Sequence, residues 1–326
     1  MATRRFPLLK LPNDAAKHVL KVMDDSKRIV ISFCSKRTKA LAITRGRQGL
    51  NFSVSIGRIY KIRYSDNGFG EIWGYNTYIG EEYMKVYVSP VTYSPILSLT
   101  WKQPGWSLFD RINHIKSLFP GVFDFGTKFL SYEFDLNQHL PLLRSDFVNI
   151  LEITHFEQDD AFNTRILSHF FEANKVTLYC TTFQNPDTFG KVAIRNMSEI
   201  EVCANFRINL DQVLLTNCCF LFLYDQTFSA RVFNKFLKLW RKGSNPNLKY
   251  FQYVFSYGQE QNQDINVILA GINARQLLGE EEVPFAVVFF YKPFVENGFQ
   301  IWDRNGRKGI LECNEAERVL RFVVFD

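Results

Sequence analysis

The chain has 326 residues, 46% hydrophobic and 22% charged, with a formal net charge of +6. That composition is globular, and the length allows two domains or three small ones with a sizeable core. The longest apolar runs, Cys218 to Tyr224 and Val283 to Tyr291, fall far short of the ~20 residues a membrane helix needs, so a soluble chain is expected. Pro7, Lys10 and Pro12 interrupt the apolar stretch that follows Arg4-Arg5, which argues against a signal peptide. Six cysteines, at 34, 180, 203, 218, 219 and 313, form no C-x-x-C pair. They read as reduced thiols of a cytoplasmic or nuclear protein, which makes the triplets Asn51-Phe52-Ser53 and Asn196-Met197-Ser198 incidental.

The first element is a short helix entered through Leu11-Pro12. Proline suits the start of a helix because its fixed φ is helical and its missing N–H would have no partner there. Ala16, Val19, Leu20 and Met23 recur at i, i+3, i+4 and i+7 and line one face. Asp24-Asp25-Ser26 breaks the pattern and offers the next cap. Ile29, Val30, Ile31 and Phe33 make a second apolar group, and the basic stretch from Ser35 to Ile43 a third short helix. Three helices in about forty residues bury little by themselves, which points to a partner. Residues 1–50 also hold twelve Lys or Arg and three Asp or Glu, a net of +9, leaving −3 for the rest. This asymmetry suits an acidic protein partner or nucleic acid, or is simply a solvated basic surface. A helix-turn-helix reader using Lys36, Arg37, Lys39, Arg45 and Arg47 is the nucleic-acid version. It lacks an evident recognition helix with Asn, Gln and Arg on one face.

From Leu50 to about Trp101 the period shortens to that of strands, as in Phe52 to Ile56 and Tyr83 to Val88, with Asp66-Asn67-Gly68 as a hairpin turn. An antiparallel sheet fits. Leu108, Ile112, Ile115 and Phe119 then form a helical stripe between Pro104-Gly105 and Pro120-Gly121. Further helices are expected from Asp159-Asp160 and from Ser229, the latter placing Val232, Phe233, Phe236, Leu237 and Trp240 on one face and stopping at Gly243. Strand-like runs at 148–153, 175–180, 199–202 and 248–255 alternate with them. The rhythm predicts β-α units of irregular length, like degenerate leucine-rich repeats, ending in a hairpin at 299–313 and a last strand at 319–325.

The order Phe6-Pro7-Leu8-Leu9-Lys10-Leu11-Pro12, then Val19-Leu20, Met23, Ile29 and Ser35-Lys36-Arg37 resembles an F-box of the nematode type. Phe236 to Leu248, reading FLKLWRKGSNPNL, is similar to the signature of the nematode type-2 F-box-associated domain. Ile268 to Ile272 and the terminal hairpin fit it too. The resemblance, joined to the strand and helix rhythm that is all residues 50 to 225 share with the family, gives an α+β chain: a three-helix F-box over 1–49, an antiparallel β segment over 50–101, and an F-box-associated, leucine-rich-repeat-like recognition domain over 102–326. It implies a substrate receptor of a Skp-cullin-F-box ubiquitin ligase, bound to the Skp-type adaptor, and through it a cullin, by Leu11, Pro12, Val19, Leu20, Met23 and Ile29, with the target an unknown protein. Such a subunit needs no cofactor and performs no chemistry, since it supplies proximity.

Residue patterns for catalysis are sparse. His18, His114, His139, His155 and His169 are scattered, without zinc-ligand spacing. Gly68-Phe69-Gly70-Glu71-Ile72-Trp73-Gly74 misses the dinucleotide spacing by one residue and reads as a hairpin. Asp159-Asp160 reads as a cap, and Cys218-Cys219 as core.

Overall fold

A computed structural model describes residues 8–23, 25–43, 51–56, 61–65, 71–75, 83–89, 97–102, 106, 108–118, 125–129, 140, 148–154, 160–179, 186–203, 207–255, 264–277, 279–282, 294–296, 298–314 and 316–325. Two compact units emerge, Met1–Ile150 and Leu151–Asp326. The turn signals at 66–68, 104–105 and 120–121, with Cys180, His139 and His155, lie outside the described residues.

In the first unit a 3-10 turn at Leu8–Lys10 leads into α1 (Asn13–Val22), α2 (Asp25–Ser32) and α3 (Lys36–Ala42). Pro12 occupies the N-cap of α1 in extended conformation, where its missing N–H costs no hydrogen bond. Ser35 caps α3 by accepting from the Thr38 N–H at 3.1 Å. Ala16, Leu20 and Leu41 form the centre of the bundle, with Leu8, Leu11, Met23 and Ile31 packed against it. Then come β1 (Asn51–Ile56), β2 (Lys61–Ser65), β3 (Glu71–Tyr75), β4 (Tyr83–Ser89), β5 (Leu97–Lys102), α4 (Leu108–Leu118) and β6 (Phe125–Phe129). β3, β4 and β5 form an antiparallel sheet. β1 pairs antiparallel with β2 but parallel with β6, so this pairing reaches past α4 in sequence.

The second unit runs β7 (Ile150–Thr154), α5 (Asp160–His169), β8 (Lys175–Tyr179), α6 (Pro186–Ala193), β9 (Glu199–Val202), α7 (Leu210–Leu215), β10 (Phe220–Gln226), α8 (Ala230–Arg241), β11 (Tyr250–Phe255), α9 (Ile265–Leu269), β12 (Arg275–Gln276), β13 (Glu280–Glu282), β14 (Phe294–Glu296), β15 (Phe299–Trp302), β16 (Lys308–Asn314) and β17 (Val319–Phe325). Its sheet has the order β12-β15-β16-β17-β11-β10-β9-β8-β7, with β13 and β14 paired separately. β8, β9, β10 and β11 are parallel, each joined to the next through a helix. At β11 the direction changes: β17 pairs with it antiparallel, and β16 and β15 continue so.

Register explains the core. Val176, Ile200, Leu221 and Phe251 stand side by side on successive strands, as do Leu178, Val202, Leu223 and Tyr253, and all eight are buried. Because side chains alternate across a strand, these two rows belong to one face. The inner stripe of α8 covers its end: the rings of Phe233 and Tyr253 lie 4.7 Å apart, Phe236 and Phe251 5.0 Å, and Trp240 and Phe322 4.8 Å, all edge to face. Gly243, at φ +101°, ends α8 in the left-handed region that a glycine adopts without strain. The Tyr253 hydroxyl accepts from the Phe228 N–H at 2.7 Å, tying the loop ahead of α8 to β11. Asn245, also left-handed at φ 50°, is buried and its Nδ2 donates to the carbonyls of Val213 and Thr216, which fixes the turn after α8 onto the end of α7.

Gly309 on β16 marks how tightly this seam is packed. A Cβ there would sit 2.5 Å from Phe322 Cζ and 3.0 Å from the Trp240 ring. Gly309→Ala is therefore expected to destabilise the second unit by about 1–3 kcal/mol through forced displacement of the Phe322 ring. Urea unfolding followed by tryptophan fluorescence measures it, and an unshifted midpoint would contradict this account of the packing.

Candidate partner-binding surfaces

The helical module buries some of the residues expected to face an adaptor and presents others. Leu20 and Ile29 are buried in the module itself. Leu11, Val19 and Met23 are half-buried, and Pro12 is exposed. Large apolar groups absent from the sequence-based set stand out instead: Val22 is 72% exposed and Ile43 41%. Val22 follows the stripe Val19-Met23 around the helix and is hard to single out in a sequence, because a helical repeat assigns faces and not the neighbour that covers each face.

A second feature joins α2 and α4 within the first unit. His114, 5% exposed, stacks on Phe33 with ring centroids 4.2 Å apart and meets Trp106 edge-on at 5.3 Å. Its Nε2 is 2.8 Å from Ser32 Oγ. The serine hydroxyl lies 2.6 Å from the Ile29 carbonyl, an acceptor only, so it donates there and receives the Nε2–H of a neutral imidazole. A hydroxyl committed in this way is a structural link, not a nucleophile awaiting a base. Burial, and secondarily Lys39, lowers the His114 pKa to about 4. A cleft of about 380 Å³ beside it is lined by Lys39, Trp106, Asp110, Asn113 and His114.

The third feature is the face of the second unit's sheet opposite α8. Here Lys175, Thr177 and Tyr179 on β8 neighbour Glu199, Glu201 and the following Cys203 on β9, and then Phe220, Phe222 and Tyr224 on β10. Glu201 accepts hydrogen bonds from Thr177 Oγ1 at 3.1 Å and from Tyr179 Oη at 3.3 Å, and Lys175 Nζ is 2.5 Å from Glu199 Oε1. Burial raises the Glu201 carboxyl above the usual carboxylate range, with Lys175 and the Thr177 hydroxyl opposing. Burial also raises the Tyr179 phenol, reinforced by the Glu201 charge. The phenol thus remains a donor to the carboxylate. Further along, Phe222, Tyr250, Ile310 and Val323 cluster, with Phe220, Tyr224 and Phe325 packed against them. The same face carries Arg321, whose Nη1 donates to Glu312 Oε2 at 2.9 Å, with Glu317 as a second acceptor. Spacing hinted at none of the pairings between β8 and β9, because those partners lie 22 to 24 residues apart in sequence and only the register unites them.

The remaining candidates resolve simply. Cys218 is buried, and burial pushes its thiol up to about 12, so it is a core group. His18 is exposed on α1, and His169 is half-buried. No group of His, Cys, Asp and Glu suited to a metal occurs among the described residues, and no described helix is long and apolar enough to cross a membrane.

Residues 188–253 match the F-box associated family. The matched segment runs from α6 to β11 and contains the parallel strands β9 and β10 and the whole of α8. The matched segment is about a fifth of the chain and is similar to an F-box-associated domain, a type found in F-box proteins. No curated protein and no solved structure matches the chain.

The buried imidazole gives a pH dependence. Unfolded, His114 takes up a proton near pH 6.5, whereas in the folded chain it does so only near pH 4. The folded state therefore binds fewer protons between these values, and stability falls as pH drops from about 6.5 to about 4. His114→Phe keeps the ring stack but removes the titration. The difference in stability between wild type and variant is expected to change across that window and stay level above pH 7; a constant difference from pH 4 to 7.5 in chemical denaturation would rule the account out.

Proposed function

We propose that this chain is a substrate receptor of a Skp-cullin-F-box ubiquitin ligase. Its helical module docks on the Skp-type adaptor, and its second unit presents a target protein to the catalytic members of the assembly. The observation that carries this reading is the F-box associated match at residues 188–253. The helical module preceding it adds support. A module this small, with Pro12 and Val22 exposed beside half-buried Leu11, Val19 and Met23, has apolar surface suited to association. In this reading Leu20 and Ile29 shape the docking face from beneath, while Leu11, Pro12, Val19 and Met23 border it. The reaction itself belongs to other subunits, and this one contributes orientation. The chain works in the cytoplasm or nucleus, with no cofactor.

Copurification of the full chain with a Skp-type adaptor tests the proposal. Val22→Asp and Pro12→Asp, at exposed positions, are expected to weaken the complex tenfold or more while leaving the fold intact, as an interface anchor of about 1.4 kcal/mol or more requires. Leu20→Asp is expected to disrupt the module and serves as the positive control for loss of binding. An adaptor that ignores wild type, or that binds both exposed variants undiminished, would defeat the assignment. Tight, salt-sensitive binding of random duplex DNA in its place would favour a basic nucleic-acid-binding module.

A further inference from the structure

Helix α8 uses its inner face completely and leaves an outer face of one sign. Arg231, Lys235, Lys238 and Lys242 recur at i, i+4, i+7 and i+11 and all are exposed. At 1.5 Å per residue the row runs about 16 Å along the helix. Its far end is extended by Arg304, whose guanidinium lies over Gly243, 3.0 Å from where a Cβ would be. Lys238 in turn reaches over Gly271, beyond the end of α9. None of these five cations forms an ion pair among the described residues. The stretch 231–249 contains six Lys or Arg and no Asp or Glu, although residues 151–326 as a whole hold 18 basic and 21 acidic residues, a net of −3.

Helix electrostatics account for part of this only. The dipole favours cations in the last turn, where Lys238 and Arg241 stand, but disfavours Arg231 in the first turn. Repulsion along the row also costs stability, since like charges at i and i+4 are destabilising. A row kept against both terms has charge to offer to another molecule.

We propose that this stripe docks an acidic segment of a partner protein, one whose carboxylates repeat every 5 to 7 Å, as along one face of a helix or on alternate residues of a strand. Three observations favour protein over nucleic acid. The helix lies flat on the sheet with Phe233, Phe236, Leu237 and Trp240 buried, so it cannot enter a groove. The row is mainly lysine, without an exposed aromatic for base stacking. The net −3 of the surrounding unit opposes a long polyanion, whereas a short acidic segment senses chiefly what lies within a Debye length of ~8 Å. The stripe uses none of the residues proposed for adaptor docking and stands whether or not the receptor reading holds.

Zero-length carbodiimide coupling of a twelve-residue oligoglutamate peptide to the full chain, with the coupled lysines mapped by mass spectrometry, tests this directly. Coupling is expected to concentrate on Lys235, Lys238 and Lys242 and to fade as salt rises. Lys235→Gln/Lys238→Gln, exposed on the helix and folded by circular dichroism, is expected to weaken peptide binding about fivefold or more in fluorescence anisotropy. Coupling confined to Lys17, Lys21 and Lys36 of the amino-terminal module would overturn the proposal. So would an unchanged affinity in the double variant. Tighter binding of a random duplex of about 20 base pairs, lost in the same variant, would reassign the stripe to nucleic acid.

Discussion

The second unit depends on one aromatic seam. Where the sheet turns from parallel to antiparallel, β11 and β17 present Phe251, Tyr253 and Phe322 to a single helix, and Phe233, Phe236 and Trp240 of α8 meet them edge to face. A reversal of strand direction brings two unlike patterns of hydrogen bonding together. Large flat rings suit the junction because each supplies much buried area with few rotatable bonds. The Tyr253 hydroxyl and the Asn245 amide then secure the chain on either side of α8. With its inner half fixed in this way, α8 has one orientation, and its outer charges stand in a fixed row.

Much of this was legible in the sequence, and the reasons are specific. Strong amphipathic periodicity located α1, α4, α5 and α8, and Gly243 marked the end of α8 where its positive φ is used. The strands at 175–179, 199–202 and 250–255 and the terminal hairpin followed from β-branched and aromatic runs between turns. The short helices α6, α7 and α9 carry no such signal, because five to eight residues give barely two turns of period. The capping box on α7, in which Asn209 and Gln212 exchange hydrogen bonds, was a readable signal that apolar periodicity overshadowed.

Surfaces were harder to read than elements. Leu20 and Val22 are two residues apart on α1, yet one is buried and the other largely exposed. That difference belongs to α3, which covers Leu20 through Leu41. His114 illustrates the same limit from the other side. Nothing adjacent to it in sequence signals a buried ring, because Phe33 and Ser32 come from more than eighty residues away. Charge was the exception: the +9 of the first fifty residues and the acid-free stretch 231–249 can be counted without any structure.

The position of β17 has a consequence for how the chain is made. The strand that shields the last parallel edge, β11, follows it in the chain only after more than sixty residues. Until it emerges, the backbone donors and acceptors of Tyr250 to Phe255 face outward in a segment of two phenylalanines, two tyrosines, a valine and a glutamine, a composition prone to pairing with other chains. Once β17, β16 and β15 are in place, the outermost strand on that side is the two-residue β12, Arg275-Gln276, both exposed and polar. A nascent chain therefore carries this adhesive edge until β17 has been added. Loss of β17 alone would leave that edge open, although every described helix precedes it in sequence.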